Sequence, residues 1–185
     1  MGKTFTEIND DLRNFIARQH MYFVATAPLS ADGHVNVSPK GLDTFRVLGS
    51  TTVAYLDLTG SGVETIAHLR ENGRLTIMFC AFEGRPRILR LYGHGRAVEP
   101  GDPDWSSVSA AFPDLAGVRA VVVMDVSRIA DSCGYAVPLY QYAGDREQLV
   151  AWADKKGAEG LTQYRAQKNR ASIDGLPGLP SAEES

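Results

Sequence analysis

Residues 36–70 read NVSPKGLDTFRVLGSTTVAYLDLTGSGVETIAHLR, and this stretch indicates how the chain folds. Val53 to Leu58 form a mostly apolar run with β-branched and aromatic members, which is typical of a strand. Residues 59–62, TGSG, then predict a turn. From Val63 onward the apolar residues recur at the spacing of a helix. The stretch therefore predicts a strand, a glycine turn and a helix.

The glycine turn also predicts an anion-binding site, with a phosphate as the suitable anion. A turn that opens a helix directs free backbone N–H groups and the positive end of the helix dipole toward one point. Lys40 and Arg46, on the preceding strands, could add positive charge. The motif is neither a dinucleotide-binding fingerprint nor a Walker A loop, so a plain strand-to-helix turn is the alternative. The residues that would form the site are Gly60, Ser61, Gly62 and Thr65.

The length of 185 residues and the 44% hydrophobic and 22% charged composition predict one globular domain over 1–185. Within it we expect a helix at 5–18, a barrel core at about 20–130, and a C-terminal helix and tail at 145–185. The net charge is −3 and the basic residues are scattered, so no nucleic-acid partner is expected. No run approaches the roughly 18 apolar residues of a membrane span. No export signal is recognisable, so we expect a cytoplasmic protein without a membrane partner.

Cysteines and histidines give little indication of metal or redox chemistry. Cys80 and Cys133 lie in or beside apolar segments, so both are expected to be buried, reduced thiols. Their spacing does not match a metal-binding motif, and no metal is expected. A metal site built from His34, His68 and His94 is the alternative.

In most of the remaining sequence, short apolar runs separated by turn residues predict strands joined by short turns. Short hairpins imply antiparallel pairing, and the regular spacing favours a closed or nearly closed barrel. Pro39 predicts that its strand lies at an edge or ends there, while Gly93 and Gly95 indicate a bulge or bend in the long strand at 87–98. The predicted strands are 21–27, 35–38, 45–48, 52–57, 75–82, 87–98 and 118–129.

The ends of the helices are predicted from capping residues. The helix at 62–71 should end at Gly73, and the turn-rich tail at 173–180 should be extended. The predicted N-terminal caps are Thr4 or Thr6 for the first helix, Asp102 for the helix after the strand at 87–98, and a capping box of Asp145 and Gln148 for the last helix.

Five segments occur in a characteristic order: YFVAT at 22–26, VNVSPK at 35–40, VAYLD at 53–57, ENGRLTIMF at 71–79 and RLYGHGRAV at 90–98. Together they resemble the pyridoxamine 5′-phosphate oxidase-related proteins, which are FMN-binding split β-barrels. The segments SCGYAVP at 132–138 and SIDGLPGL at 172–179 resemble an uncharacterised branch of that family. The expected fold is therefore mainly β (α+β): an antiparallel, Greek-key-like split β-barrel of six or seven strands with peripheral helices.

The resemblance implies a homodimer with FMN in the groove between the two chains. Leu89 and Leu91 are expected to be exposed on a barrel strand until a second chain covers them. No residue is assigned as a catalytic acid or base. The candidate cofactor-binding residues are Val37, Ser38, Pro39, Lys40, Arg46, Tyr55, Leu56, Asp57, Gly60, Ser61, Gly62, Thr65, Ser132 and Tyr135.

Two departures from the true oxidases change the expected activity. Glu64 and Thr65 stand where those enzymes carry a basic pair, and a glutamate there would repel a phosphate unless it pointed outward. The tail also lacks their Arg-rich C-terminal motif. We therefore expect an FMN-dependent oxidoreductase of unknown substrate that does not oxidise vitamin B6. The alternatives are a split barrel that uses the deazaflavin F420 or haem, and a flavin-binding protein without turnover.

Overall fold

One antiparallel sheet contains all eight strands in the computed structural model of the chain, which describes residues 2–180. Four helices lie in the connections and after the last strand. The strands are β1 Thr4–Phe5, β2 Tyr22–Thr26, β3 Asn36–Lys40, β4 Phe45–Val47, β5 Thr52–Leu58, β6 Arg74–Cys80, β7 Ile88–Val98 and β8 Val118–Ser132. The helices are α1 Asp10–Ala17, α2 Glu64–Asn72, α3 Trp105–Ser109 and α4 Gln148–Lys168, the last with a kink at Gly157.

The strands follow the order β3-β2-β6-β7-β8-β5-β4, and β1 pairs separately with β8. Every pairing is antiparallel, and the long β8 joins β7 on one side to β5 and β1 on the other. The curled, mainly β sheet confirms the predicted split-barrel fold class. β3 is an edge strand, as Pro39 predicted, because proline cannot donate to a further strand.

The largest hydrophobic cluster fills the inside of the curled sheet and is closed at one end by α1. Leu89 and Leu91 belong to this cluster and are fully buried, so the prediction that they are exposed was wrong. They lie on β7, which is paired on both sides, and their alternating positions face the interior. A second cluster packs α3 against the other face of β5 and β8.

The predicted caps of α1 were wrong, and the helix is shorter than 5–18. Phe5 pairs with Ile129 in the short β1, which commits the chain before the helix to the sheet. The helix then begins after Asn9, whose Oδ1 accepts a hydrogen bond from the backbone N of Leu12 at 3.0 Å. Neither Thr4 nor Thr6 caps it.

The other two predicted N-terminal caps were also wrong. Asp102 instead accepts a hydrogen bond from the backbone N of Glu99 at 2.7 Å, so its side chain closes the turn before α3. Helix α4 starts after Glu147 without a side-chain cap, and the box of Asp145 and Gln148 does not form. The C-terminal prediction for α2 is confirmed, because Gly73 adopts the left-handed conformation with φ of 70°.

A bulge interrupts the pairing of β7 with β8 between Tyr92 and Gly93, as the glycine pattern predicted. A Cβ on Gly93 would stand 1.9 Å from the carbonyl oxygen of Asp125. The two backbones approach too closely for any side chain at this position, and this contact explains the need for glycine.

The tail after α4 folds back on the barrel, so the prediction of an extended tail was wrong. Ala171 bridges Pro177, and Leu179 is buried against the start of α2. Residues 181–185, which end the predicted tail, lie outside the described residues.

The two thiols differ in exposure. Both cysteines are unpaired; Cys80 is buried as predicted, but Cys133 is exposed, contrary to prediction. Over residues 2–180 no three potential ligands come together as a metal site. Nor does any helix in that range have the length and apolar character needed to cross a membrane.

Candidate functional site

A cleft of about 1070 Å³ runs along β3, the end of β5 and the start of α2. Further lining comes from the end of α1, the β6–β7 loop and residues 140–149. Its volume lies slightly above the range that is typical of small-molecule sites, about 300–1,000 Å³. Seven predicted cofactor-binding residues line it: Ser38, Pro39, Lys40, Leu56, Gly60, Gly62 and Thr65.

The other predicted residues lie outside this cleft. Tyr55 faces the main core, because residues along β5 alternate between the two faces of the sheet. Val37 and Ser61 line a smaller neighbouring pocket of about 440 Å³. Ser132 accepts a hydrogen bond from Arg90 at 3.2 Å, and the Tyr135 side chain is 83% exposed.

Arg46 is held away from the cleft by its own contacts. Its guanidinium binds both carboxylate oxygens of Asp43, at 2.6 and 2.8 Å. The Nε donates to the carbonyl of Ala111 at 2.8 Å, and the group lies over the Phe112 ring at 5.2 Å. Arg46 therefore fastens the segment after α3 to β4.

Lys40, Asp57 and Arg119 form a buried ion cluster beside the cleft, here called the Asp57 triad. Lys40 Nζ donates to Asp57 Oδ1 at 2.8 Å, and Arg119 Nε donates to Asp57 Oδ2 at 2.8 Å. The Asp57 side chain is 0% exposed. Burial alone would raise the pKa of Asp57, but the two cations and their hydrogen bonds outweigh it and lower the pKa to about 2. Asp57 is therefore ionised at neutral pH.

Arg119 was missed by the sequence interpretation, which treated β8 as a plain apolar strand. Its side chain is 5% exposed and lines the cleft. Its Nη1 is buried without a hydrogen-bond partner among residues 2–180. A charged residue inside the apolar run VRAVVVM at 118–124 was the available signal, because such a residue needs a buried partner.

The glycine turn is held by the backbone just before β8 and by residues at the end of α4. Thr59 Oγ1 donates to the carbonyl of Gly117 at 2.7 Å and accepts from Arg165 Nε at 2.9 Å. The fully buried Asn169 donates from Nδ2 to the carbonyl of Gly60 at 2.9 Å. These contacts join α4 to the turn that precedes α2.

Glu64, the first residue of α2, places its carboxylate directly over Gly62. Its Oε1 accepts a hydrogen bond from the backbone N of Ile173 at 3.4 Å. A carboxylate at this point complements the helix dipole itself. The pole at which a phosphate was expected therefore carries a negative charge in this conformation.

A chain of hydrogen bonds leads from the cleft wall into the core. Asn36 Nδ2 donates to Thr65 Oγ1 at 3.1 Å, and Asn36 Oδ1 accepts from Ser38 at 3.2 Å. Thr26, which also contacts Asn36, shares a hydrogen bond of 2.9 Å with Nδ1 of the buried His68. Burial lowers the pKa of His68, so the ring is neutral at pH 7. This series of hydrogen bonds holds β3 against α2 along the cleft.

Aromatic rings line the far part of the cleft. His20 and Tyr142 stack in parallel with ring centroids 3.6 Å apart, and Phe82 stacks with Tyr140 at 5.3 Å. The backbone N of Tyr142 donates to a carboxylate oxygen of Glu83 at 3.0 Å. These contacts hold residues 140–142, which lie in an irregular segment without a periodic pattern, against the β6–β7 loop.

The curled antiparallel sheet defines a split-barrel protein with a large cleft on its strand surface. A family model described as pyridoxamine 5′-phosphate oxidase matches residues 8–133, more than half of the chain. The chain belongs to the pyridoxamine 5′-phosphate oxidase family.

One curated relative is the pyridoxamine 5′-phosphate oxidase family protein ustO of Aspergillus flavus. The two sequences are 42% identical over an alignment of 195 positions, which covers 96% of this chain and 78% of that protein. Among solved structures, HupZ of Group A Streptococcus has a TM-score of 0.51 and 23% identity, covering 68% of this chain and 99% of that one. A Lactobacillus delbrueckii protein named for pyridoxamine 5′-phosphate oxidase also has a TM-score of 0.51, with 19% identity over 68% of this chain and 94% of that one. At these identities the likeness shows the fold.

Proposed function

We propose that the chain binds FMN in the cleft and acts as a flavin-dependent oxidoreductase. The main support for this proposal is the cleft itself. Apolar strand residues line it together with Arg119, a buried cation whose Nη1 has no hydrogen-bond partner among residues 2–180. Membership of the pyridoxamine 5′-phosphate oxidase family supports a flavin as the ligand. The substrate and the electron donor are left open by this proposal.

The lining residues fit a flavin in size and chemistry. Pro39, Leu56 and Leu58 supply apolar surface for a ring system, and Ser38 and Thr65 supply hydroxyl groups. The Asp57 triad supplies positive charge for an anionic group. A bound flavin would supply the hydride chemistry, while these residues bind it, orient it and exclude water.

We also propose that two copies of the chain form a homodimer around the cofactor. The exposed side chains of Tyr140, Tyr142 and Leu149 line the cleft, and Leu139 beside them is 75% exposed. A second copy that covered these residues would bury apolar surface and close the cleft. Light scattering at micromolar concentration should report a dimer; a monomer that retains one flavin per chain would refute this arrangement.

The cofactor is tested by mass spectrometry and absorption spectroscopy of the purified protein, followed by titration with FMN. We expect FMN at up to one equivalent per chain. A haem or deazaflavin spectrum, or a folded protein that binds no flavin, would overturn the proposal. Reduction of the bound flavin by NADH or NADPH, followed by reoxidation by a substrate, would separate an enzyme from a flavin-binding protein without turnover.

A pair of tryptophan variants tests whether FMN binds in this cleft. Leu58 lines the cleft, so Leu58→Trp should fill part of it and weaken FMN binding at least tenfold. Leu48 is 43% exposed and does not line the cleft, so Leu48→Trp is the matched control and should bind FMN like the wild type. Equal FMN affinity in both variants, with unchanged melting temperatures, would place the ligand elsewhere.

A further inference from the structure

Arg119 combines three properties that rarely occur together. Its side chain is 5% exposed, it lines the cleft, and its Nη1 has no hydrogen-bond partner within residues 2–180. Buried arginine nitrogens are normally bonded, because leaving one unsatisfied costs free energy. The other side of the group is fixed, since Nε donates to Asp57. The guanidinium is thus held at Nε, while both N–H groups of Nη1 lack a partner among residues 2–180.

The charge around Arg119 is unbalanced. Lys40 and Arg119 bind different oxygens of the single Asp57 carboxylate, so two cations meet at one anion. Arg165 adds a third cation: burial and the neighbouring charge of Arg119 both lower its pKa. Arg165 itself donates to Thr59 and to the carbonyl of Val118, groups without formal charge. A buried surplus of positive charge favours binding of an anion.

The start of α2, which is the other place where an anion could bind, already holds the carboxylate of Glu64. Glu64 lies over Gly62 and is bonded to the backbone N of Ile173 in the tail. An incoming anion at the glycine turn would meet this negative charge, whereas the Asp57 triad presents free donors. Lys40 also lines the cleft, and its ammonium group has two N–H groups besides the one that it donates to Asp57.

We propose that the Asp57 triad is the anion-binding pole of the cleft, where the Arg119 guanidinium and the Lys40 ammonium together bind one oxyanion group. The group is a phosphate or a carboxylate, carried by the cofactor or by the substrate. Asp57 is a positioning residue that holds both cations toward the ligand. This inference rests on the proposed function only because it requires a ligand in the cleft. It assigns the anionic group of that ligand to the Asp57 triad instead of the glycine turn.

The first arm of the test compares FMN with riboflavin, which lacks the phosphate. Arg119→Lys keeps the charge beside Asp57 but removes the Nη1 donor, and Lys40→Met removes the second cation. If the cofactor supplies the anion, each variant should weaken FMN about ten- to a hundredfold and riboflavin by less than about threefold. Arg96→Gln is the control, because Arg96 pairs with Asp104 at the surface, outside the cleft.

The second arm titrates inorganic phosphate and benzoate into the protein with its flavin bound, or into the protein alone if no flavin binds. Binding is followed by phosphorus NMR and by the melting temperature. If the substrate supplies the anion, wild type and Arg96→Gln should bind one of these probes, and Arg119→Lys should bind it at least tenfold more weakly. This result would support the anion pole even if the protein bound no flavin and the proposed function failed.

The inference is overturned if folded Arg119→Lys and Lys40→Met match the wild type in both arms. Flavin binding would then stand without the anion pole. Should Arg119→Lys fail to fold, Lys40→Met alone decides the question, because it leaves the pair between Arg119 and Asp57 intact.

Discussion

Asp57→Asn is expected to lower the free energy of unfolding by about 3–5 kcal/mol at pH 7, which is the typical cost of removing one partner from a buried ion pair. The side chain is fully buried, and each carboxylate oxygen accepts a hydrogen bond of 2.8 Å from a cation. An asparagine would fill the same volume but leave Lys40 and Arg119 without a counter-charge. Lys40→Met should cost less, about 1–2 kcal/mol, because Lys40 is 22% exposed and the bond from Arg119 remains.

The same substitution should change the response to acid. The pKa of Asp57 falls from 3.8 in the unfolded chain to about 2 in the folded protein, so the unfolded chain binds the proton more readily. The contribution of Asp57 to stability is therefore complete above pH 4 and is lost as the pH falls toward 2. A shift of this size corresponds to about 2 kcal/mol. The difference between wild type and Asp57→Asn should narrow by about that amount between pH 5 and pH 2.

Urea denaturation at pH 7, 5 and 2, followed by the fluorescence of Trp105 and Trp152, measures both effects. The slope with urea should stay the same, so that shifts of the midpoint report stability. If Asp57→Asn lowers the free energy of unfolding at pH 7 by less than about 1 kcal/mol, the triad does not stabilise the fold as argued. An acid response identical in wild type and variant would refute the ionisation argument separately.

Three further outcomes follow from particular contacts. Gly93→Ala should cost about 3 kcal/mol, measured by urea denaturation, since its Cβ would overlap the facing carbonyl of β8, whereas Gly84→Ala, in open space at φ 66°, should cost about 1 kcal/mol. Equal losses would contradict the steric argument. Asn169→Ala should cost about 1–3 kcal/mol and speed amide exchange in the glycine turn, because it leaves the Gly60 carbonyl without its donor; unchanged exchange there would show that α4 does not hold the turn. A thiol reagent should modify Cys133 in the native protein and Cys80 only after unfolding, and native modification of both would contradict the burial of Cys80.

Much of the fold could be predicted from the sequence because its signals are local. The alternating strands, the glycine turn before α2 and the left-handed Gly73 each depend on residues a few positions apart. The predicted caps failed because other contacts decided the outcome, a distant one for the first helix and one only three residues away for Asp102. Phe5 joined β8 rather than α1, and Asp102 closed a turn instead of opening a helix.

The candidate site was harder to predict because its charges meet across long separations. Asp57 is 17 residues from Lys40 and 62 residues from Arg119. Lys40 and Asp57 were each named as flavin contacts, but nothing in the spacing paired them. Arg46 looked equivalent to Lys40 in the sequence, yet Asp43, three residues before it, binds its guanidinium. Which basic residue faces the cleft depends on strand register rather than on composition.

The tail also affects where an anion can bind. Glu64 stands where the resemblance to the oxidases placed a basic residue, and its carboxylate is engaged by Ile173 in the tail. Asp174 next to it binds His34 at 2.7 Å, which anchors the same turn of the tail to the loop before β3. The tail thereby supports a carboxylate at the start of α2, while positive charge comes from β3, β8 and α4 instead. A cleft with its positive charge on the strands binds an anionic ligand in a different position from one charged at the helix start, and substrate selection should differ accordingly.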